Sequence, residues 1–451
     1  MDDVWNYRAW EDVLKTPLVN AAAPGSRVLV TTRDEGVARG VSAIWPYHHV
    51  DTLAPDDAWL LLKTQVLSSE INEDHINTLK DIGLKIIQKC GYLPLAIKVM
   101  GGLLRERGGL RRDWQHVLDD SKWSRTKMPD ELNYAVYLSY EYMPSYLKQC
   151  FLYYSLLPKS RNFTMAQVAA MWISEGFIHG NSNDLEELGE NYYKELVSRN
   201  LIEPDKSYVN IWVCSMHDVV RSFAHYMTKD EALVTQDGEN DILASQKFLR
   251  LSIETNRSQS GELNWKSLQT QQSVRTLIST IHIKINPGDS LATFSSLRTL
   301  LMESGDMAVL VESLHQLKHL RYLTLVNYDI SVIPGNIGKM KLLQFLDLRG
   351  CTRLLNLPDS FVKLGQLRLL SLPKGCMVPR GFSGLTNMRR LSMFQAHMDG
   401  DWCSLDELGP LSQLRFLALV QLENVSAASF AANARLSEKT HLIMLSLVDL
   451  H

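Results

Sequence analysis

From residue 248 onwards the sequence repeats one leucine-based pattern, and this repetition constrains the fold more than any other feature. Each unit predicts a short strand whose apolar side chains point inward, followed by a return loop. One unit cannot bury its apolar face alone, so neighbouring units must stack into a curved solenoid. The first position of the L-x-x-L-x-L register falls at Phe248, Val274, Leu297, Leu320, Leu343, Leu367, Met388, Leu414 and Leu442.

A column of arginines accompanies this register. The residue after the first register position is Arg275, Arg298, Arg321, Gln344, Arg368, Arg389 and Arg415 in seven consecutive units. We predict that this column faces outward on the concave strand surface, with neighbours about 4.8 Å apart. The alternative is that arginine is common filler at this position, where its stem shields the leucines.

The two halves of the chain carry opposite net charge. Residues 1–247 contain 26 basic and 34 acidic residues, whereas residues 248–451 contain 21 and 16. Opposite charge favours docking of one half on the other. We therefore expect an acidic helix over 185–199 to dock against the N-terminal part of the arginine column, Arg298 and Arg321 above all. The acidic residues of this segment are Asp184, Glu186, Glu187, Glu190 and Glu195.

The first half of the chain predicts further domains. Residues 51–124 predict a helical domain, and residues 125–235 predict helices followed by a hairpin, which is typical of a winged helix. The acidic helix is unlike a basic recognition helix, so we expect no nucleic-acid partner. Residues 236–247 are expected to belong to an exposed linker that begins near residue 228.

Residues 1–50 contain one β-branched run, Arg27 to Arg33, which predicts a buried strand ending in a basic residue. One strand cannot form a sheet, so the segment resembles the tail of a nucleotide-binding α/β domain. Together these segments predict a multidomain α/β protein: the remnant of a phosphate-loop α/β domain, a helical domain, a winged helix and a leucine-rich-repeat solenoid.

The segment Val213–Met227 contains the most chemically suggestive site. A β-alternating run ends at Ser215, and a helical pattern follows Met216, His217 and Asp218. The first turn of a helix favours phosphate, and an imidazole there can donate to a phosphate oxygen. The alternative is a surface histidine beside an N-terminal aspartate.

Composition excludes several other classes. No apolar run reaches the roughly 18 residues of a membrane helix. The six cysteines are scattered without a C-x-x-C pair, which argues against a zinc site or disulfide framework and favours a reduced, cytoplasmic protein.

Five ordered motifs carry a family resemblance: DDVW at 2–5, GSRVLVTTRD at 25–34, GYLPLAIK at 91–98, CFLYYSLLPK at 150–159 and MHD at 216–218. With the repeats, the chain resembles the plant intracellular immune receptors of the nucleotide-binding (NB-ARC), leucine-rich-repeat class. It looks like the cereal-type branch that carries a coiled-coil head. The resemblance implies a switch driven by ADP and ATP.

The resemblance also implies roles for single residues. Asp2 and Asp3 would hold Mg²⁺, for which hard oxygen ligands are suited. Arg33 would sense the terminal phosphate, and Pro94 would pack near the adenine. His217 would contact the ADP phosphate in the closed state. The repeats would bind a pathogen effector or a host guard protein.

The sequence departs from that family in one respect. No G-x-x-x-x-G-K-[ST] string occurs in the chain, and no coiled-coil head precedes the motifs. We therefore expect an N-terminally truncated receptor that binds nucleotide weakly and is not an active ATPase. A repeat scaffold for protein interaction, with no nucleotide role, is the alternative.

Overall fold

The computed structural model divides into a helical part, a winged-helix part and a repeat part, whose cores are described in turn. It describes residues 4, 7–8, 10–11, 15–23, 25–41, 47–69, 71–125, 129, 133–181, 185–208, 210–236, 240–254, 263–284, 286, 289–305, 311–325, 330–395, 402–422, 425 and 432–448. Asp2, Asp3, Asp184 and Val209 lie outside these residues.

The first segment differs from the sequence-based expectation. Helices α1 (Lys15–Ala21) and α2 (Glu35–Val41) form, but residues 27–33 form no strand in the described part of the chain. Val28 and Leu29 are 50% and 80% exposed. The amide of Val4 donates to the Thr31 carbonyl at 2.9 Å. The segment is not a buried strand, because the apolar side chains of Val28 and Leu29 are exposed.

Six helices form the helical part, and their apolar faces meet in one core. Pro55 and Pro94 each occupy the first turn of their helix, where a missing N–H costs nothing. Trp59, Leu62 and Ile86 occupy the apolar faces of their helices and are buried. The helices are α3 (Pro55–Val66), α4 (Glu73–Asn77), α5 (Lys80–Lys89), α6 (Pro94–Glu106), α7 (Arg111–Leu118) and α8 (Lys122–Arg125).

The winged-helix part follows and confirms the predicted order of helices and hairpin. The sequence Thr164-Met165-Ala166-Gln167 predicts a capping box, and Thr164 and Gln167 form it at the start of α11. The hairpin pairs Glu203 with Ser215, the residue at which the β-alternating run ends. The elements are α9 (Tyr134–Glu141), α10 (Ser145–Tyr154), α11 (Met165–Glu175), α12 (Leu185–Ser198), β1 (Glu203–Pro204), β2 (Cys214–Ser215) and α13 (Asp218–Thr228).

The repeat part is a parallel sheet in which each register leucine precedes a strand. Its strand order is β13-β12-β11-β10-β9-β8-β7-β6-β4-β3, and β5 pairs with β6. The strands are β3 (Ala232–Gln236), β4 (Arg250–Glu254), β5 (Leu263–Asn264), β6 (Thr276–Lys284), β7 (Thr299–Gly305), β8 (Tyr322–Leu325), β9 (Phe345–Asp347), β10 (Leu369–Ser371), β11 (Arg390–Gln395), β12 (Phe416–Val420) and β13 (Met444–Val448).

Short helical turns cover the convex side of the sheet and bury the remaining apolar positions. Helices α14 (Asn240–Ser245) and α15 (Trp265–Leu268) lie near the first strands. The 3₁₀ turns comprise Leu314–Gln316, Gly335–Lys339, Asp359–Lys363, Phe382–Gly384, Leu405–Leu408 and Leu436–Glu438.

The segment expected to be an exposed linker is folded instead. Residues 232–236 form β3, which pairs in parallel register with β4, and Leu243 of α14 is fully buried in the repeat core. The alternating Leu233 and Thr235 supply a strand, and the open edge of β4 supplies its partner. The sheet therefore begins before the first leucine register.

No helix among the described residues is both long enough and apolar enough to cross a membrane.

Candidate functional site

The histidine of the M-H-D motif caps helix α13. The Nδ1 of His217 accepts a hydrogen bond from the Val219 amide at 3.2 Å, so the Nε2 of a neutral ring carries the proton. The side chain is exposed at the surface. Partial burial of the ring, together with the charges of Arg33, Lys159 and Lys98, lowers the pKa of His217. A neutral imidazole with one outward donor suits contact with an anion.

Charged side chains from four elements surround this histidine. Asp218 forms an ion pair with Lys159, and an Arg33 nitrogen lies 4.0 Å from a carboxylate oxygen of the same aspartate. Lys98 of α6 contacts Glu203 of β1 at 2.9 Å. Three cations and two carboxylates leave the cluster net positive, which favours a phosphate-bearing ligand.

The turn before Pro94 is strained. Gly91 and Tyr92 both adopt positive φ angles, 61° and 57°, and a bulky residue pays about 1 kcal/mol or more for this conformation. The Tyr92 carbonyl accepts a bond from the Leu53 amide at 3.2 Å. The turn directs the chain into α6, which begins at the exposed Pro94 and carries Lys98 one turn later.

The structure thus brings Arg33 and His217 into one cluster and places Pro94 on the helix that supplies Lys98. Asp2 and Asp3 lie outside the described residues, so the Mg²⁺ role remains a prediction. Across the ranges given above, no group of three metal-ligating side chains occurs. Sequence reasoning missed Lys98 and Lys159, although each is the last residue of a motif that carried the resemblance.

A second site lies on the concave side of the repeats, where the winged helix docks. Arg298 donates to the Glu175 carbonyl at 2.7 Å and Arg321 to the Ser174 carbonyl at 3.3 Å. Both carbonyls belong to the last turn of α11, where unpaired carbonyls and the negative dipole end favour cations. Thr276 donates to the Glu175 carboxylate at 2.6 Å.

The later arginines contact the acidic helix α12. Arg368 and Glu186 form a bidentate pair with both distances at 2.5 Å, and their side chains are only 5% and 10% exposed. Arg415 lies 3.7 Å from Glu190. The expectation was that α12 would face Arg298 and Arg321. The structure instead places α12 against Arg368 and Arg415, which lie two and four repeats beyond Arg321, and gives the earlier arginines to α11.

The remaining members of the column have other surroundings. Arg275 is half-buried beside Arg298, and its charge adds to burial in lowering the pKa of Arg298. Arg389 is 2% exposed and donates to the Asn387 carbonyl at 3.2 Å. The arginine column therefore points away from the repeat core. Arg368 and Arg389 are nevertheless buried, because the winged helix covers them.

Apolar side chains form the centre of this contact. Ile278, Leu301, Tyr322 and Phe345 belong to the winged-helix core, together with Trp172 and Tyr153, and none is more than 3% exposed. The contact also includes buried charge, since Arg221 of α13 pairs with Glu254 of β4. Sequence reasoning missed this apolar column. The sequence feature that could have revealed this column is the presence of four large apolar residues at repeat positions that face away from the repeat core.

Comparison with known families supports this architecture segment by segment. The NB-ARC domain family matches residues 1–72, the winged-helix domain of disease resistance proteins matches residues 156–224, and a leucine-rich repeat region matches residues 273–444.

Curated relatives match over different lengths. Putative disease resistance RPP13-like protein 1 of Arabidopsis thaliana is 35% identical over 244 residues, 53% of this chain and 22% of the relative. Disease resistance RPP13-like protein 4 of the same species is 32% identical over 62% of this chain and 32% of the relative. Another putative disease resistance protein of that species is 28% identical over 93% of this chain and 48% of the relative. The chain spans less than half the length of each.

A winged helix seated on the concave face of a parallel repeat sheet defines a leucine-rich-repeat protein with an attached winged-helix domain. The chain is similar to plant disease resistance proteins and has NB-ARC, winged-helix and leucine-rich-repeat regions in that order. The resemblance noted from the five motifs is thereby confirmed.

Proposed function

We propose that the chain is part of a plant innate immune receptor in which the repeats hold the winged helix in a resting arrangement. The names of its relatives, all plant disease resistance proteins, support the biological role. In this proposal the receptor acts in the cytoplasm, and its repeats recognise a pathogen effector or a host guard protein.

One observation carries the resting arrangement: the buried bidentate pair of Arg368 and Glu186. A buried charge that loses its partner is strongly destabilising. The two residues come from different domains, so the pair forms only when the domains fit together closely. The exposed ion pairs elsewhere on the surface do not require a close fit between domains, because water solvates their charges when they separate.

Nucleotide is the proposed switch ligand. The net positive cluster around His217 fits the phosphates of ADP or ATP, with Arg33 toward the terminal phosphate and Pro94 toward the base. Asp2 and Asp3 are the proposed Mg²⁺ ligands. Helix α13, which begins next to His217, would connect the phosphates to the repeats through Arg221 and Glu254.

Calorimetric titration of ADP onto residues 1–451 tests the nucleotide proposal. The sequence contains no phosphate-loop string, so we expect dissociation constants weaker than about 1 μM. Submicromolar affinity would show that the motifs present suffice. Appending a chain that supplies G-x-x-x-x-G-K-T should tighten binding.

In that longer receptor, His217→Ala should favour spontaneous signalling. A silent variant would count against the phosphate contact.

Hydrogen exchange on the full chain tests the docking. Arg298→Glu with Arg321→Glu removes two donors to the end of α11, so the amides of α11 should exchange faster, and raised salt should act in the same direction. If the exchange rates of the α11 amides do not change, these two arginines do not contribute to docking.

A nucleotide-independent repeat scaffold is the second candidate, favoured by the absence of the phosphate-loop string. It predicts that neither ADP nor His217→Ala alters the exchange of α11 in any version of the chain.

A further inference from the structure

A cavity of about 310 Å³ lies between the hairpin of the winged helix and the later repeat strands. The proposed nucleotide and docking roles use neither its volume nor its apolar walls. Its walls come from the start of α11, from α12 and from the residues just before β2 on one side, and from β11, β12 and β13 on the other. We call it the wing cleft. Cavities of this size are in the range that holds small ligands or a few side chains.

The charge of the wing cleft is unbalanced. Among the residues that the structure describes, Arg390, Arg415 and Lys194 line it, against a single carboxylate, Glu190. Arg415 and Glu190 are 3.7 Å apart, which is longer than a charge-assisted hydrogen bond. An anionic group in the cleft would therefore meet at least two cations without an equal number of competing carboxylates.

Arg390 is the most exceptional of these cations. Its guanidinium lies over the Phe416 ring, 4.8 Å from the centroid, and within the described ranges it forms no ion pair. Burial lowers its pKa, as do the charges of Arg415 and Arg349, whereas the charges of Glu190 and Glu186 act in the opposite direction. Arg390 also lines the two smaller cavities next to the wing cleft. A half-buried, stacked guanidinium that feels nearby carboxylates but is not in direct contact with one is suited to a ligand carboxylate.

The remaining walls are apolar. Met165, Phe416 and Met444 line the cleft, together with Trp212, which lies two residues before β2 and has 44% of its surface exposed. Exposed tryptophans beside a pocket are frequent binding hot spots, because they bury large area at low entropic cost. A bare inorganic anion would leave these walls uncovered, whereas a ligand with a large apolar group would cover them.

We propose that the wing cleft binds an acidic peptide segment of a partner protein, with a carboxylate at Arg390 and Arg415 and an adjacent large apolar side chain against Trp212 and Phe416. The proposal rests on the docked arrangement described under Proposed function, since both domains form the cleft. The peptide carboxylate competes with Glu190 for Arg415. Occupancy is thereby coupled to one of the contacts between α12 and the repeats.

Fluorescence anisotropy on the full chain tests the proposal with a labelled acetyl-GSWDEG-amide peptide. Its control replaces the acids, acetyl-GSWNQG-amide. We expect binding of the acidic peptide at about 10–100 μM, at least about tenfold weaker binding of the amide peptide, and weakening with salt. Equal binding of the two peptides, or none below about 1 mM, would overturn it.

Variants locate the site. Arg390→Gln and Trp212→Ala should each weaken binding by about tenfold, whereas Arg380→Gln, an exposed arginine of the same repeats, should not. Trp212 is exposed, so its variant remains informative if Arg390→Gln disturbs the fold. Binding that survives both variants places the peptide elsewhere and overturns the proposal.

Two further measurements separate the alternatives. Inorganic phosphate that competes fully at low millimolar concentration would identify an anion site without peptide character and would overturn the proposal. The exchange rate of α11 monitors docking independently. Slow exchange without peptide binding refutes the wing cleft alone, whereas fast exchange in the unmodified chain refutes the docked arrangement on which it rests.

Discussion

The cluster around His217 and the contact between winged helix and repeats use the same kinds of side chain in opposite settings. Around His217, Arg33, Lys159 and Asp218 are between 43% and 51% exposed. At the repeat contact, Arg368 and Glu186 are at most 10% exposed. Exposed charges exchange partners at little cost, whereas buried pairs are lost only together with the fit. The first site is therefore suited to a ligand that comes and goes, and the second to holding a conformation.

The largest effect should come from removing one member of the buried pair. Glu186→Ala leaves Arg368 without its carboxylate and should cost about 3–5 kcal/mol in the free energy of unfolding or of domain separation. Glu187→Ala, at the exposed neighbour on the same helix, should cost less than about 0.5 kcal/mol. Urea denaturation with hydrogen exchange measures both. Equal costs would remove the distinction between the two settings.

The apolar column offers the next test, on two faces of one strand. Leu301 packs in the winged-helix core and Leu300 in the repeat core, and both are fully buried. Truncation to alanine should cost about 2–5 kcal/mol at either position. Leu301→Ala should speed exchange in α11, and Leu300→Ala should speed it in β6 and β8. If both act on the repeats alone, the apolar contact is weaker than its burial indicates.

Acid should destabilise the folded winged helix through His225. Burial lowers the pKa of this α13 histidine from 6.5 to about 4, and its Nε2 contacts the Ser155 carbonyl at 2.9 Å. The unfolded state binds more protons between these values, so stability should fall as pH drops from about 6.5 towards 4, by at most about 3 kcal/mol. His225→Gln should flatten this dependence. A slope that persists in the variant would assign the acid effect to other groups.

The smallest effect is expected at the exposed cluster. Lys159→Ala should change the free energy of unfolding by less than about 1 kcal/mol, since the pair with Asp218 is exposed. Removing the positive charge should raise the pKa of His217, because Lys159 contributes to lowering it. NMR titration of the imidazole measures this. A pKa that does not move, or a large loss of stability, would contradict the assignment of this region as loosely held.

The repeat fold was predictable because its signal is one-dimensional. Register leucines such as Leu297 and Leu320 precede strands β7 and β8 directly, and each strand needs only its neighbours to be specified. The capping box at Thr164 likewise fixed a helix start from local chemistry. Such features depend on spacing that a sequence displays.

Features that depend on distant partners were not predictable in the same way. Residues 27–33 have the composition of a strand, yet Val28 and Leu29 are exposed, and the β3 segment has a partner that only the sheet supplies. Charge asymmetry indicated that the halves attract, yet it could not choose between Arg321 and Arg368 for helix α12. Ile278 and Leu301 resemble ordinary repeat residues until the winged helix is placed over them.

The junction between α13 and β3 limits how this molecule can open. Only residues 229–231 separate the end of the helix from the first strand of the sheet, and three residues reach about 10 Å at most. The two parts therefore cannot slide apart; they can only swing about this short joint. Because neighbouring strands are about 4.8 Å apart, a swing of a few degrees barely moves β4 but displaces β12 and β13 by several ångströms. Contacts near the far end of the sheet, those of Arg415 among them, should break before those of Arg298.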